Sequence, residues 1–340
     1  MVRRDAQNEL LKKKFRGRTE IPSKYIPKFP AAAERDYTRM MNVMVREVLK
    51  SSLTDYLPEA IQIINQAETK APWGNQKPTQ RLDARETQGE QAKKNQKERA
   101  KYRRAIIAQV TAELDGWFER LKGALESRMK IFRVRDRLNT VANVNRKLTV
   151  KEWKKVIGKT LGINILEDYY DGEYFREALE KWVNENVDLI VTIPNDMLDD
   201  MKRVILESYL NGDTVTSITK KIERCYGVTK SHARLIASDQ MGKLSSQLSR
   251  YQQTKAGVSK YVWRTAGDNR VRETHKALDR KTFSWDNPPV VDKKGRRCHP
   301  GEDYHCRCIA VPVLDLGKLE IPADGRMEQK VTIPTRKKQR

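Results

Sequence analysis

Apolar positions recur at steps of three and four along most of the chain, and the rhythm changes to alternation only near the C-terminal end. Tyr37, Met40, Met41, Met44 and Val48 stack on one face of a helix predicted over about 36–52. A shorter apolar stretch follows at Tyr56–Ile64. Ile107, Val110, Leu114, Trp117, Leu121, Leu125, Met129 and Phe132 keep the same stepping, which predicts a long helix over about 95–137 packed along a neighbour. Thr149-Val150-Lys151-Glu152 spells a capping box, so a helix is expected to begin there and run over 150–160. Further helices are predicted at 174–184, 197–209, 216–226 and 229–255; the last carries Ala233, Ile236, Gln240, Leu244 and Leu248 on one face and stops at Gly257. Beyond it, Tyr261, Trp263 and Thr265 alternate as a strand would, with strand candidates at 282–285 and 307–311 and a short helix at 270–278. Pro288, Pro289, Gly295 and Pro300-Gly301 mark the turns. The fold class is α+β: a mostly helical N-terminal two-thirds containing a long helix, then a small α+β module at the C-terminus.

Length and charge divide this pattern into parts. The chain has 340 residues, enough for about two domains. Residues 1–35 form a basic arm of the kind that a partner orders, interrupted by Pro22, Pro27 and Pro30. Residues 36–195 form a helical domain with a Pro-, Gln- and Thr-rich, disordered-like insert near 70–91. Residues 196–315 form the C-terminal module, and 316–340 a basic tail ending Arg336-Lys337-Lys338-Gln339-Arg340. No apolar run reaches the ~20 residues of a membrane span, so no membrane partner is expected. The opening Met1-Val2-Arg3-Arg4-Asp5 lacks a signal-peptide core, and four cysteines make no dense disulfide framework, so a reducing compartment fits.

The net charge of +23 comes in bursts, which points to a polyanionic partner. Lys93, Lys94, Lys97, Arg99, Lys101, Arg103 and Arg104 crowd the opening turns of the long helix, where positive charge opposes the helix dipole unless an anion is near. They are the candidate DNA contacts. Aromatic residues do not interleave with these bursts. The expected mode is therefore contact with the phosphate backbone rather than base stacking.

The candidate chemistry lies in the module. Three of the four cysteines and three of the four histidines fall between His275 and Cys308. Cys306 and Cys308 are two apart and would face one side of a strand; they fit a small apolar core, and with His275 and Cys298 they make four potential ligands for a structural zinc. Asp268, Arg270, Arg272 and His275 form a second group. It reads as a framework in which Asp268 and Arg272 satisfy a turn and each other; a nuclease would instead use His275 as base and Asp268 or Asp286 on a metal.

The string Ser231-His232-Ala233-Arg234-Leu235-Ile236-Ala237-Ser238-Asp239-Gln240 precedes Gly257 to Tyr261, Trp263-Arg264-Thr265, Asp268, Arg270-Val271-Arg272, His275, Leu278 and Phe283. His299-Pro300-Gly301-Glu302-Asp303 and Cys306-Arg307-Cys308 follow. In these residues, over about 196–312, the chain resembles the phage Mu F-like family of minor head proteins, also called the phage head morphogenesis family. The resemblance marks Trp263, Asp268, Arg270, Arg272, His275, Pro300, Gly301, Cys306, Arg307 and Cys308 as a structural motif and carries over no catalytic residue. It implies a non-enzymatic virion component, assembled in the host cytoplasm and sited in the head at the portal vertex. Its implied partners are portal, capsid or scaffold proteins and packaged double-stranded DNA, with a part in assembly or genome delivery. Two other classes remain: a metal-dependent nuclease or toxin-like enzyme in the module, and a nucleic-acid-binding protein outside virions.

Overall fold

The computed structural model describes residues 11, 13–70, 90–162, 173–211 and 213–319. The first ten residues of the arm, the 71–89 part of the insert and the tail beyond 319 lie outside that set. The chain runs through strand β1 (Glu20–Pro22), helix α1 (Ala31–Met44), a π-helical turn (Val45–Lys50), α2 (Ser51–Lys70), α3 (Glu90–Phe132), α4 (Val134–Leu161), α5 (Glu173–Leu210) and α6 (Val215–Lys255). It ends in β2 (Lys260–Arg264), a one-turn helix α7 (Glu273–Lys276), β3 (Thr282–Ser284) and β4 (Ile309–Asp315). The α+β class and the mostly helical N-terminal part are as the periodicity predicts.

The helices are longer than the local signals say. The supposed capping box sits in the middle of α4: Thr149 Oγ1 donates back to the Asn145 carbonyl at 3.0 Å, as a helix-interior threonine does. Leu138, Val141 and Ala142 before it and Trp153, Val156 and Ile157 after it are all buried, so one apolar stripe carries the helix through the cap signal. Likewise α5 passes through Pro194, with Ile190, Ile193, Met197 and Leu198 buried on either side. A proline inside a helix removes one N–H and crowds a carbonyl; burial on both flanks outweighs that cost here. The segments predicted at 216–226 and 229–255 are likewise one helix, α6, through Gly227. The predicted long helix stops five residues early, because Arg133 takes a left-handed φ of 54° and α4 starts afresh after it.

Two compact units form. One comprises Met40–Val134 and Val187–Arg234. Its core includes Met41, Met44, Val48, Leu49, Ile64, Leu114, Trp117, Leu121 and Leu125. Trp117 donates its ring N–H to the Tyr56 carbonyl at 2.7 Å, and Arg128 pairs with Asp55 at 2.5 Å, so α2 and α3 are joined by buried and exposed bonds alike.

The other unit comprises Met1–Arg39, Arg135–Asn186 and Leu235–Arg340. Tyr37 is fully buried and donates to Asn186 Oδ1 at 2.8 Å; Trp182, one turn earlier on α5, donates to the Gln240 carbonyl of α6 at 3.1 Å. Its sheet is antiparallel throughout, in the order β1-β4-β2-β3. β2 pairs with β4 from Lys260↔Val313 to Arg264↔Ile309. β1 pairs with β4 from Glu20↔Asp315 to Pro22↔Val313. Within the predicted arm, residues 20–28 are therefore held on the fold rather than awaiting a partner. Residues 20–22 are an edge strand, and Tyr25 and Lys28 are tied to α4 through the Glu152 carboxylate, at 2.6 Å from the Tyr25 hydroxyl and 2.9 Å from the Lys28 N–H. Three residues are too few for an alternation to show in sequence.

Candidate functional site: a buried histidine and cysteine core

Strand β2 turns Tyr261 and Trp263 inward, both with no exposed surface. They anchor a core with Trp285, Val291, Cys306, Cys308 and Ala310, against which Leu278, Phe283 and Cys298 pack. After β2 the chain turns at Gly267, whose φ of +76° suits a residue without a Cβ. Asp268 then caps the turn, accepting from the Arg270 N–H at 3.2 Å. Its other oxygen takes Arg307 at 2.6 Å, and this arginine holds the carboxyl below its ordinary range. Arg270 is exposed and meets Asp268 at 3.3 Å.

The one-turn helix α7 delivers His275, 2% exposed, edge-on to Trp263 with ring centroids 5.4 Å apart. Its two nitrogens face different chemistry. Nε2 lies 3.1 Å from Asp303 Oδ2, while Nδ1 lies 3.6 Å from Cys306 Sγ and 3.6 Å from Cys308 Sγ. Arg307, between the two cysteines in the segment that leads into β4, turns the other way to Asp268. Among the described residues, His275, Cys306 and Cys308 have ligand atoms that all lie within 4.8 Å of one another. The hydrogen bond from Cys308, with help from His275, holds the Cys306 thiol below its ordinary range, and the bond to Cys306 raises the proton affinity of His275. Burial pushes Cys298 up to about 12.

Asp303 is the hub that the spacing of residues did not reveal. Only 3% exposed, it accepts from Arg272 at 3.0 Å, Arg296 at 2.7 Å and the Tyr304 N–H at 2.7 Å, besides facing His275. Arg272 adds a bond to the Tyr304 carbonyl at 2.7 Å. The expected pairing of Arg272 with Asp268 is thus replaced by two separate pairs, Arg272–Asp303 and Arg307–Asp268. The turn at 267–270 is satisfied locally, which leaves Arg272, as N-cap residue of α7, free to reach the 303–304 loop. Cys298 packs on the core but stands outside the group of three. Asp286 is exposed and also outside it.

Helix α6 clamps the loop that carries these residues. Asp239 accepts from the His305 N–H at 2.8 Å, Ser246 donates to the Pro300 carbonyl at 2.6 Å, and Gln253 donates to the Ala310 carbonyl at 3.1 Å. The approach is close: a Cβ on Gly242 would lie 3.1 Å from the Cys306 carbonyl oxygen, and one on Gly301 would lie 3.0 Å from Ser246 Cβ. Gly301 also holds φ at +86°. Gly242 and Asp239 drew no notice in the sequence as site residues; the small-residue run after Ile236 is the signal that marks this face. Of the candidate DNA contacts, Lys101 and Arg104 are exposed on α3, while the side chains of Lys93, Lys94, Lys97, Arg99 and Arg103 lie outside the described residues.

A helix seated on a small antiparallel sheet, with a buried histidine between two thiols and a carboxylate, defines a side-chain-stapled α+β module. Residues 199–311, about a third of the chain, match the family described as Phage Mu protein F like protein. An uncharacterized protein of Haemophilus influenzae is 33% identical over 130 residues, which are 38% of this chain and 28% of that protein. The chain therefore spans well under two-thirds of the curated relative it matches. No solved structure matches.

Proposed function

We propose that the chain is a phage minor head protein that acts in head morphogenesis by binding, near the portal vertex, with charge-driven contact to packaged DNA. The carrying observation is the family match over 199–311, which covers both the clamping face of α6 and the stapled core beneath it. Portal, capsid or scaffold proteins are the partners this reading names, and a role in genome delivery goes with it. Two features support binding over turnover. His275, the base that a nuclease would use, is 2% exposed, which disfavours its reaching a substrate atom, and Asp303 beside it is 3% exposed. Their polar atoms are already engaged with Arg272, Arg296 and the two thiols.

The test is fractionation of intact phage heads followed by mass spectrometry. The chain is expected to co-purify with heads, and cryo-electron microscopy is expected to place it at the portal vertex; heads without it overturn the reading. Contact with DNA is supported by the +23 charge and by the exposure of Lys101 and Arg104. Binding is expected to be indifferent to sequence and to fall by roughly 10-fold or more between 50 and 200 mM salt. Incubation with plasmid and a divalent metal is expected to leave the plasmid intact.

A further inference from the structure

The stapled core has the geometry of a metal site. Zinc binds an imidazole nitrogen at about 2.0–2.1 Å and a thiolate at about 2.3 Å, so a tetrahedral angle puts nitrogen and sulfur about 3.5–3.6 Å apart. His275 Nδ1 stands 3.6 Å from each of two sulfurs. A single N–H aims at one acceptor; a nitrogen equidistant from two sulfurs suits an ion placed among the three. Behind the ring, Asp303 faces Nε2 at 3.1 Å, which directs the ring proton to that side and leaves Nδ1 as the lone-pair nitrogen. Asp303 is fixed in turn by Arg272 and Arg296. Ligand, backing carboxylate and support are therefore all in place.

We propose that His275 Nδ1, Cys306 Sγ and Cys308 Sγ hold a structural zinc ion, with Asp303 as the positioning carboxylate. A buried structural zinc takes four ligands; Cys298 packs on this core but stands outside the group of three, so it completes the set only by turning its side chain toward the ion, which Cys298→Ser tests. The ion fastens α7 to the start of β4. This inference rests on the local geometry and stands apart from the head-protein reading, since neither heads nor DNA enter its test.

The full-length chain, purified with zinc in the medium and desalted, is expected to carry one zinc per chain by elemental analysis. Replacing it with cobalt is expected to give thiolate-to-metal charge-transfer absorption and tetrahedral d–d bands. Wild-type chain that retains its folded near-ultraviolet circular dichroism, contains no zinc and gives no such bands with cobalt overturns the proposal, without recourse to any variant. Cys306→Ser and Cys308→Ser are each expected to lower zinc content to below a tenth of wild type. Cys298→Ser is expected to lose about a third of the charge-transfer intensity, one thiolate of three; unchanged intensity removes Cys298 from the ligand set. Asp303→Asn is expected to weaken zinc binding about 10–100-fold while leaving the cobalt spectrum unaltered. Unaltered affinity would deny Asp303 its positioning role.

Discussion

At Gly242 packing against backbone leaves little room. A methyl group added there would press on a backbone carbonyl at 3.1 Å, which cannot rotate away as a side chain could. Gly242→Ala is expected to lower stability by about 1–3 kcal/mol, read as a shifted urea midpoint at unchanged slope. Asp303→Ala removes the acceptor shared by two arginines and a histidine. Its expected cost is about 3 kcal/mol, the low end for a buried pair, because Arg272 and Arg296 are 46% and 42% exposed and water screens them. Thermal unfolding followed by near-ultraviolet circular dichroism checks it. The histidine and thiols of this core were legible in the sequence because Cys-Arg-Cys in extended chain would put two sulfurs on one side, and the segment just before β4 does so. Asp303 was not: its 28-residue separation from His275 is bridged by the β3 hairpin and the 288–301 turns, and no spacing rule encodes that path.

At the scale of elements, Glu152 shows how a local signal can be right about chemistry and wrong about place. Read as the acid of a capping box, it is instead a mid-helix carboxylate that gathers Tyr25, Lys28 and Lys155 around α4. Burial raises its affinity for a proton, but the bonds from Lys155, Tyr25 and the Lys28 N–H outweigh that and hold its folded value below the ordinary 4.5. A depressed carboxylate stabilises the fold above its unfolded value and loses that contribution as pH falls through the folded one. Wild type is thus expected to lose roughly 1 kcal/mol more than Glu152→Gln between pH 6 and pH 3 in urea titrations. An equal loss in both would show that this tether contributes nothing. Strand β1 offers a second prediction. Deleting residues 1–22 uncovers the free edge of β4, and open edges recruit other strands. The truncated chain is expected to self-associate in sedimentation velocity runs under conditions where the intact chain does not. Helix existence was readable almost everywhere from the apolar stepping. Helix ends were not, because Pro194 and Gly227 look like stops and are overruled by burial on both sides.

For the molecule as a whole, the two units are built from interleaved stretches of chain, so sequence order and spatial order part company. Composition and charge suggest an acidic partner, and the family match covers 199–311; neither carries information on which distant stretches share a core. The pairing of Glu20 with Asp315 has its sharpest consequence during synthesis. A nascent chain emerging from the ribosome holds its first strand through nearly three hundred further residues before the complementary strand exists. Loop closure over so long a span is slow. Premature termination anywhere before residue 309 leaves β1 without its partner strand, so abortive products are expected to be substrates for quality-control proteases.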